Sequence, residues 1–203
     1  MKIAAKPRLR TAGTAGVVLV SALFLGGCGA APFLTDGGAT PKPTSSGEIT
    51  SIQNDLSSGS TQRNLTAGNI SLAVNYWSDL AMDSWTAGAN KPLNMSMVAT
   101  LAADEGQRVY LSKVTVVAAV TGPKGTLTAP AALVDQANVA PGYLVKSPYS
   151  YGQSFVLPAL DGAATSISLA ITYELLLQTT PTSAEYAKQT ATDLLTIAIA
   201  PTK

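Results

Sequence analysis

Between Thr165 and Thr179 the chain reads TSISLAITYELLLQT. Ile167, Leu169, Ile171, Tyr173, Leu175 and Leu177 share one parity; Ser166, Ser168, Ala170, Thr172 and Glu174 share the other. Successive side chains of a strand point to opposite faces, so this spacing predicts a strand with one buried face. LNMSMVATL repeats the pattern, with Leu93, Met95, Met97, Ala99 and Leu101 on one side. The β-branched run RVYLSKVTVVAAVTG stops at Gly122-Pro123, a strong terminator. NISLAVNYW, SFVLPAL and ATDLLTIAIA supply three more strands. Asp104-Glu105-Gly106 and Asp161-Gly162 fall between strands and read as hairpin turns. Pro181 to Gln189 reads as a loop or a single helical turn.

Six or seven short strands with no amphipathic helix predict an all-β domain over residues 67–203. The expected architecture is an antiparallel two-layer β-sandwich with an immunoglobulin-like Greek key; an open barrel is the alternative. Before this domain the segments ATPKPTSSGE and DLSSGSTQRN are poor in core-forming residues. Such composition cannot bury enough apolar surface to fold alone. Residues 28–66 are therefore expected to form a disordered, flexible Pro/Ser/Thr/Gly-rich stalk, with a reach of roughly 35 Å by the flexible-chain relation. A weak helical pattern runs from Ile49 to Leu56.

The extreme N-terminus has a different pattern. Lys2, Lys6, Arg8 and Arg10 precede an uncharged stretch from Thr11 to Thr35, whose apolar heart is Val17–Val20 and Leu23–Leu25. A basic start, a short apolar run and a small-residue exit form an export signal over residues 1–27. An uncleaved span would need about 20 predominantly apolar residues, more than this run offers. The exit, Leu25-Gly26-Gly27-Cys28, resembles the lipobox of bacterial lipoproteins. The resemblance covers about the first thirty residues only. It implies a diacylglyceryl thioether on Cys28, cleavage before that residue, and anchoring on the extracytoplasmic face of the cell membrane. Two acyl chains give stable anchoring where one does not, at about 0.8 kcal/mol per buried methylene.

Composition narrows the chemistry. Cys28 is the only cysteine and there is no histidine. Once Cys28 is lipidated, no thiol remains for a disulfide or a thiolate metal site. Four of the 13 Lys and Arg lie in the leader, leaving nine against 12 Asp and Glu, a balance of −3. A mildly acidic chain without a basic patch is not expected to bind nucleic acid. Absence of histidine removes the commonest general base and the Ser-His pair. A Ser-Lys arrangement would have to use Lys113 or Lys146, and Ser112-Lys113 are neighbours in a predicted strand. Met95 and Met97 could present two thioethers to Cu(I); they fit better as core filling on an apolar face. Asp79, Asp83, Asp104 and Glu105 match no calcium loop and read as turn residues. No cofactor is expected.

The long segment from Thr121 to Gln153 carries four prolines and ends in a group of tyrosines, Tyr143, Tyr149 and Tyr151. Long loops inside a compact domain are uncommon and often functional. Tyrosines offer flat amphipathic contacts to sugars or proteins. The segment is expected to cover the sandwich, to bind a partner, or both. Trp77 and Trp85 read as core or end plugs. The expected function is non-catalytic binding or scaffolding in the cell envelope, with a protein or a cell-wall polymer as partner. An accessory small-molecule or Cu(I) carrier is the alternative, and an envelope hydrolase comes third. Replacing the anchor, Cys28→Ser, is expected to abolish the lipid mass and release the protein from the membrane fraction; intact-mass analysis and detergent partitioning check both.

Overall fold

The computed structural model describes residues 51–202. The signal and lipobox residues Leu25, Gly26, Gly27 and Cys28 lie outside the described residues. Ten strands form two antiparallel sheets: β1 Ser60–Ala67, β2 Ile70–Trp77, β3 Lys91–Leu101, β4 Val109–Gly122, β5 Gly125–Leu127, β6 Leu133–Gln136, β7 Tyr143–Leu144, β8 Tyr151–Leu157, β9 Ser166–Gln178 and β10 Tyr186–Ala198. The first sheet has the order β1-β2-β3-β8. The second runs β10-β9-β4, and β5, β6 and β7 all pair with the far edge of β4. A single 3-10 turn, Met82–Ser84, interrupts the long β2–β3 connection.

The chain crosses between the sheets three times: β3 to β4, β7 to β8, and β8 to β9 are consecutive strands that lie in different sheets. β8 returns beside β3, and β9 returns beside β4. This interlock is an immunoglobulin-like Greek key. β2, β3 and β8 stand where strands A, B and E would, and β4, β9 and β10 where C, F and G would. β1 adds one edge strand. Asp104-Glu105-Gly106 and Asp161-Gly162 are therefore corners between sheets and not hairpins. A turn signal specifies a local reversal, while the sheet that receives the next strand is a long-range choice.

The period-two pattern places the core. Leu72, Val74 and Tyr76 of β2, with Leu93, Met95 and Met97 of β3, face Val114 and Val116 of β4 and Leu169, Ile171 and Tyr173 of β9; all are at most 1% exposed. Fully burying each such aliphatic side chain contributes about 1.5–3 kcal/mol. Across the middle of this core the hydroxyls of Tyr76 and Tyr173 meet at 2.8 Å, and Tyr173 Oη donates to Met95 Sδ at 3.7 Å. A buried hydroxyl without a partner is costly, so each tyrosine supplies the polar contact that the other requires. Burial pushes both phenols well above their ordinary pKa. Trp85 plugs one end of the core, fully buried, with Nε1 donating to Ser78 Oγ at 2.9 Å.

The folded domain starts earlier than the sequence pattern indicates. β1, expected to be the end of the stalk, pairs with β2 along its whole length. Ahead of it Leu56 is fully buried in the core. Asp55 pairs with β10: its N–H donates to Thr196 O at 2.8 Å, and its Oδ2 accepts from Thr196 N at 2.7 Å. Gln53 Nε2 and Arg63 Nη2 both reach Asp55 Oδ1 at 2.9 Å. Partial burial raises the Asp55 carboxyl, but the Thr196 amide, Gln53 and Arg63 outweigh it and hold it below its ordinary value. β10 also starts earlier than expected, at Tyr186, within the predicted loop.

Two substitutions test this revised start. Leu56→Ala is expected to destabilise the domain by about 2–5 kcal/mol in urea unfolding, whereas a tether residue would cost nothing measurable. The depressed Asp55 carboxyl contributes stability that is present above the ordinary value of 3.8 and is lost as pH falls through the folded value. Asp55→Asn is therefore expected to lower stability at neutral pH and to flatten its decline below about pH 4, as read from thermal melts across pH.

Candidate functional site

The tyrosine-bearing segment closes the side of the sandwich that β10 leaves open. β6 and β7 lie on β4, on either side of a bulge at Ser112, where the β4–β9 register shifts between Leu111 and Lys113. The extra residue turns Ser112 Oγ onto Glu174 O at 2.9 Å and leaves Ser112 O for the Ala137 amide, also at 2.9 Å. Gly142 passes so close that a Cβ there would stand 2.5 Å from Leu111 O. Only glycine fits this approach, and it lets β7 dock. The chain then crosses between sheets. Val145 N donates to Val109 O of β4, while Val145 O accepts from Ala99 N of β3. Val145 is fully buried. This fastening makes the segment a seam between the two sheets, which is the cover expected from its apolar residues.

The three tyrosines separate along this seam. Tyr143 and Tyr151 stack, with ring centroids 5.8 Å apart and planes at 26°. Tyr151 is only 6% exposed, and its hydroxyl donates to Asp135 Oδ2 at 2.7 Å. Burial and the Asp135 carboxylate raise its pKa far above that of a free phenol. Tyr151 thus clamps β8 of the first sheet to β6 of the second. Tyr143 is half-buried, and this pair borders a shallow hollow of about 280 Å³ with Asp135 and Gln153. Tyr149 differs, being 57% exposed. It lines a separate open cleft of about 330 Å³ with Gln107, Arg108, Leu144, Lys146 and Ser147.

Arg108 is the residue that the sequence reading missed. It is exposed and has no carboxylate partner among the described residues. Its Nη1 lies 3.5 Å from Tyr110 Oη, and Tyr110 meets Tyr186 edge-to-face at 5.7 Å. The Tyr110 hydroxyl, with Tyr186 and Tyr149 beyond it, holds the guanidinium above its ordinary pKa. The other cation of the cleft is committed: Lys146 Nζ meets Asp104 Oδ1 at 2.5 Å and donates to Gln107 O at 2.9 Å. The Lys146 pair and the Gly106 amide lower the Asp104 carboxyl. A free guanidinium beside an exposed phenol can take a carboxylate or phosphate by forked hydrogen bonds. No local motif marks Arg108, because its cleft is assembled from the β3–β4 corner, β7 and the seam.

The remaining candidates are held in structural roles. Met95 and Met97 are fully buried, so their sulfurs have no approach for Cu(I). Lys113 Nζ meets Glu174 Oε1 at 2.6 Å, and Lys188 meets Oε2 at 2.5 Å; the two lysines lower the Glu174 pKa. Lys91 is fully buried, and its Nζ donates to the carbonyls of Ala87, Ala89 and Pro158 at 3.2, 2.6 and 3.3 Å. Desolvation lowers its pKa. Asp79 accepts from Asn94 Nδ2 at 2.8 Å. Among the described residues no three His, Cys, Asp or Glu side chains gather into a cation cage. Trp77 lies on the outer face of the first sheet and is half-buried, unlike the end plug Trp85.

No protein-family model matches the chain, and no curated protein matches it.

The tyrosines can be told apart by what their loss costs. Tyr151→Phe removes a hydrogen bond to a carboxylate and is expected to destabilise by about 1.5–3 kcal/mol. Tyr149→Ala is expected to stay within about 0.5 kcal/mol of wild type. Urea unfolding of the two variants side by side gives the comparison.

Proposed function

We propose that this chain is an envelope lipoprotein, held by lipidated Cys28 on the extracytoplasmic face of the cell membrane, whose sandwich is a non-catalytic binding module. The lipobox-like leader supports the location. The Arg108–Tyr149 cleft carries the binding reading: a cation without a carboxylate partner among the described residues and an exposed phenol share an open cleft on a seam fixed by backbone hydrogen bonds. Rigid support of this kind reduces the ordering cost of association. The group received there is an anionic side chain or terminus of an envelope protein, or an anionic substituent of a cell-wall polymer. The non-catalytic reading is supported by the lysines. Lys91, Lys113 and Lys146 are each tied to carbonyls or carboxylates, which leaves none of these three poised as a base for a serine.

Crosslinking in intact cells, followed by affinity capture, tests this. Wild-type protein is expected to capture a defined set of envelope components that Arg108→Ala combined with Tyr149→Ala loses, at unchanged melting temperature. Capture of the same set by both proteins would remove the cleft from the binding surface.

A further inference from the structure

We propose that the outer face of the second sheet pairs with a second copy of this chain. The register assembles the patch that carries this. Val117, Ala170 and Leu194 form one row across β4, β9 and β10. The next row is Val134 of β6 with Thr115, Thr172 and Thr192. Val117, Val134 and Leu194 are 50, 54 and 59% exposed. Beyond the first row lie Ala119, Ser168 and Thr196, and beyond the second Gln136, Lys113, Glu174 and Thr190. The face thus has an apolar centre, small and hydroxyl side chains on one side, and an ionic group on the other.

Single exposed apolar side chains are ordinary, but several gathered into adjoining rows mark an interaction site. A central apolar cluster with a polar margin is the anatomy of a protein interface. The size also fits. β9 has 13 residues, and three to four strands at about 4.8 Å with a rise of about 3.3 Å per residue present roughly 600–800 Å². A stable interface takes about 600–1,000 Å² from each partner.

The pattern of the face is self-complementary about one axis. A two-fold axis along the strands, midway between β4 and β9, keeps each row and exchanges β4 with β9 and β6 with β10. Val117 of each copy then lies on the small Ala170 of the other, and Leu194 comes beside Val134 of the other copy. Lys113 faces Glu174 of the other copy, and Glu174 faces its Lys113, so the ionic groups meet with opposite signs. These pairs lie close to the axis, where the angle of roughly 30° between packed sheets displaces them least. An axis across the strands would instead set the ionic group against the Ser168 and Thr196 row, which offers no counter-charge. Charge complementarity therefore selects the first arrangement.

Sedimentation velocity of the full chain in excess detergent, which keeps shared micelles rare, tests the proposal. Wild type is expected to pass from monomer to dimer with rising concentration. Leu194→Glu is expected to weaken the dimer about tenfold or more by burying a charge against Val134, with the melting temperature unchanged. Lys113→Glu and Glu174→Lys are each expected to stay monomeric alone, because each sets like charges face to face. Their equimolar mixture is expected to recover the dimer, because each chain then meets the opposite charge. Asn75→Glu and Arg108→Ala are expected to dimerise as wild type does. A wild-type chain that stays monomeric up to about 0.1 mM, above the micromolar range of weak interfaces of this size, would overturn the proposal. So would a dimer that survives Leu194→Glu or that Asn75→Glu dissociates, and so would a mixture of the two charge variants that remains monomeric.

Discussion

A sandwich of two open sheets must seal the long edges where the sheets end, and most of the irregular structure here serves that requirement. Apolar burial holds the inner faces together but has no direction, so it cannot stop water entering from the sides. Backbone hydrogen bonds do so. On one side Asp55 pairs with Thr196 and carries the chain from β10 across to β1. On the other, Val145 bonds to both Val109 and Ala99, joining β4 to β3. The crossings of the Greek key fix the sheets' relation at their ends; these two fastenings fix it along their length.

The central strands were legible because their signal is local. Ile167 to Leu175 and Leu93 to Ala99 alternate in sequence as they alternate in space, and Met95 and Met97 read correctly as core. The sealing elements were not legible, for a physical reason. β1 presents Thr61, Arg63 and Leu65 inward, too polar a set to announce a buried face, and it is a strand because β2 supplies its hydrogen bonds. β5, β6 and β7 are too short to show a period and depend on the edge of β4. The tyrosine group was legible as a feature but not in its division of labour. Whether a tyrosine clamps or contacts depends on a distant carboxylate, Asp135 for Tyr151, and no sequence spacing encodes that. Arg108 was invisible for the same reason.

The two sheets differ outside as much as they match inside. One outer face carries the Lys113–Glu174–Lys188 group; on the other the outward strand positions are uncharged, and the Asp79 carboxylate reaches it only through Asn94.

Lys91 gives the fold a property of a different kind. Its ammonium ties the β2–β3 loop at Ala87 and Ala89 to the chain after β8 at Pro158, with no solvent-facing surface. An amine shielded in this way is silent toward acylating reagents while that end of the sandwich is shut, and becomes nucleophilic once it opens. The residue is thus a native reporter of breathing at the Trp85 end, distinguishable by peptide mapping from the surface amines that react at all times.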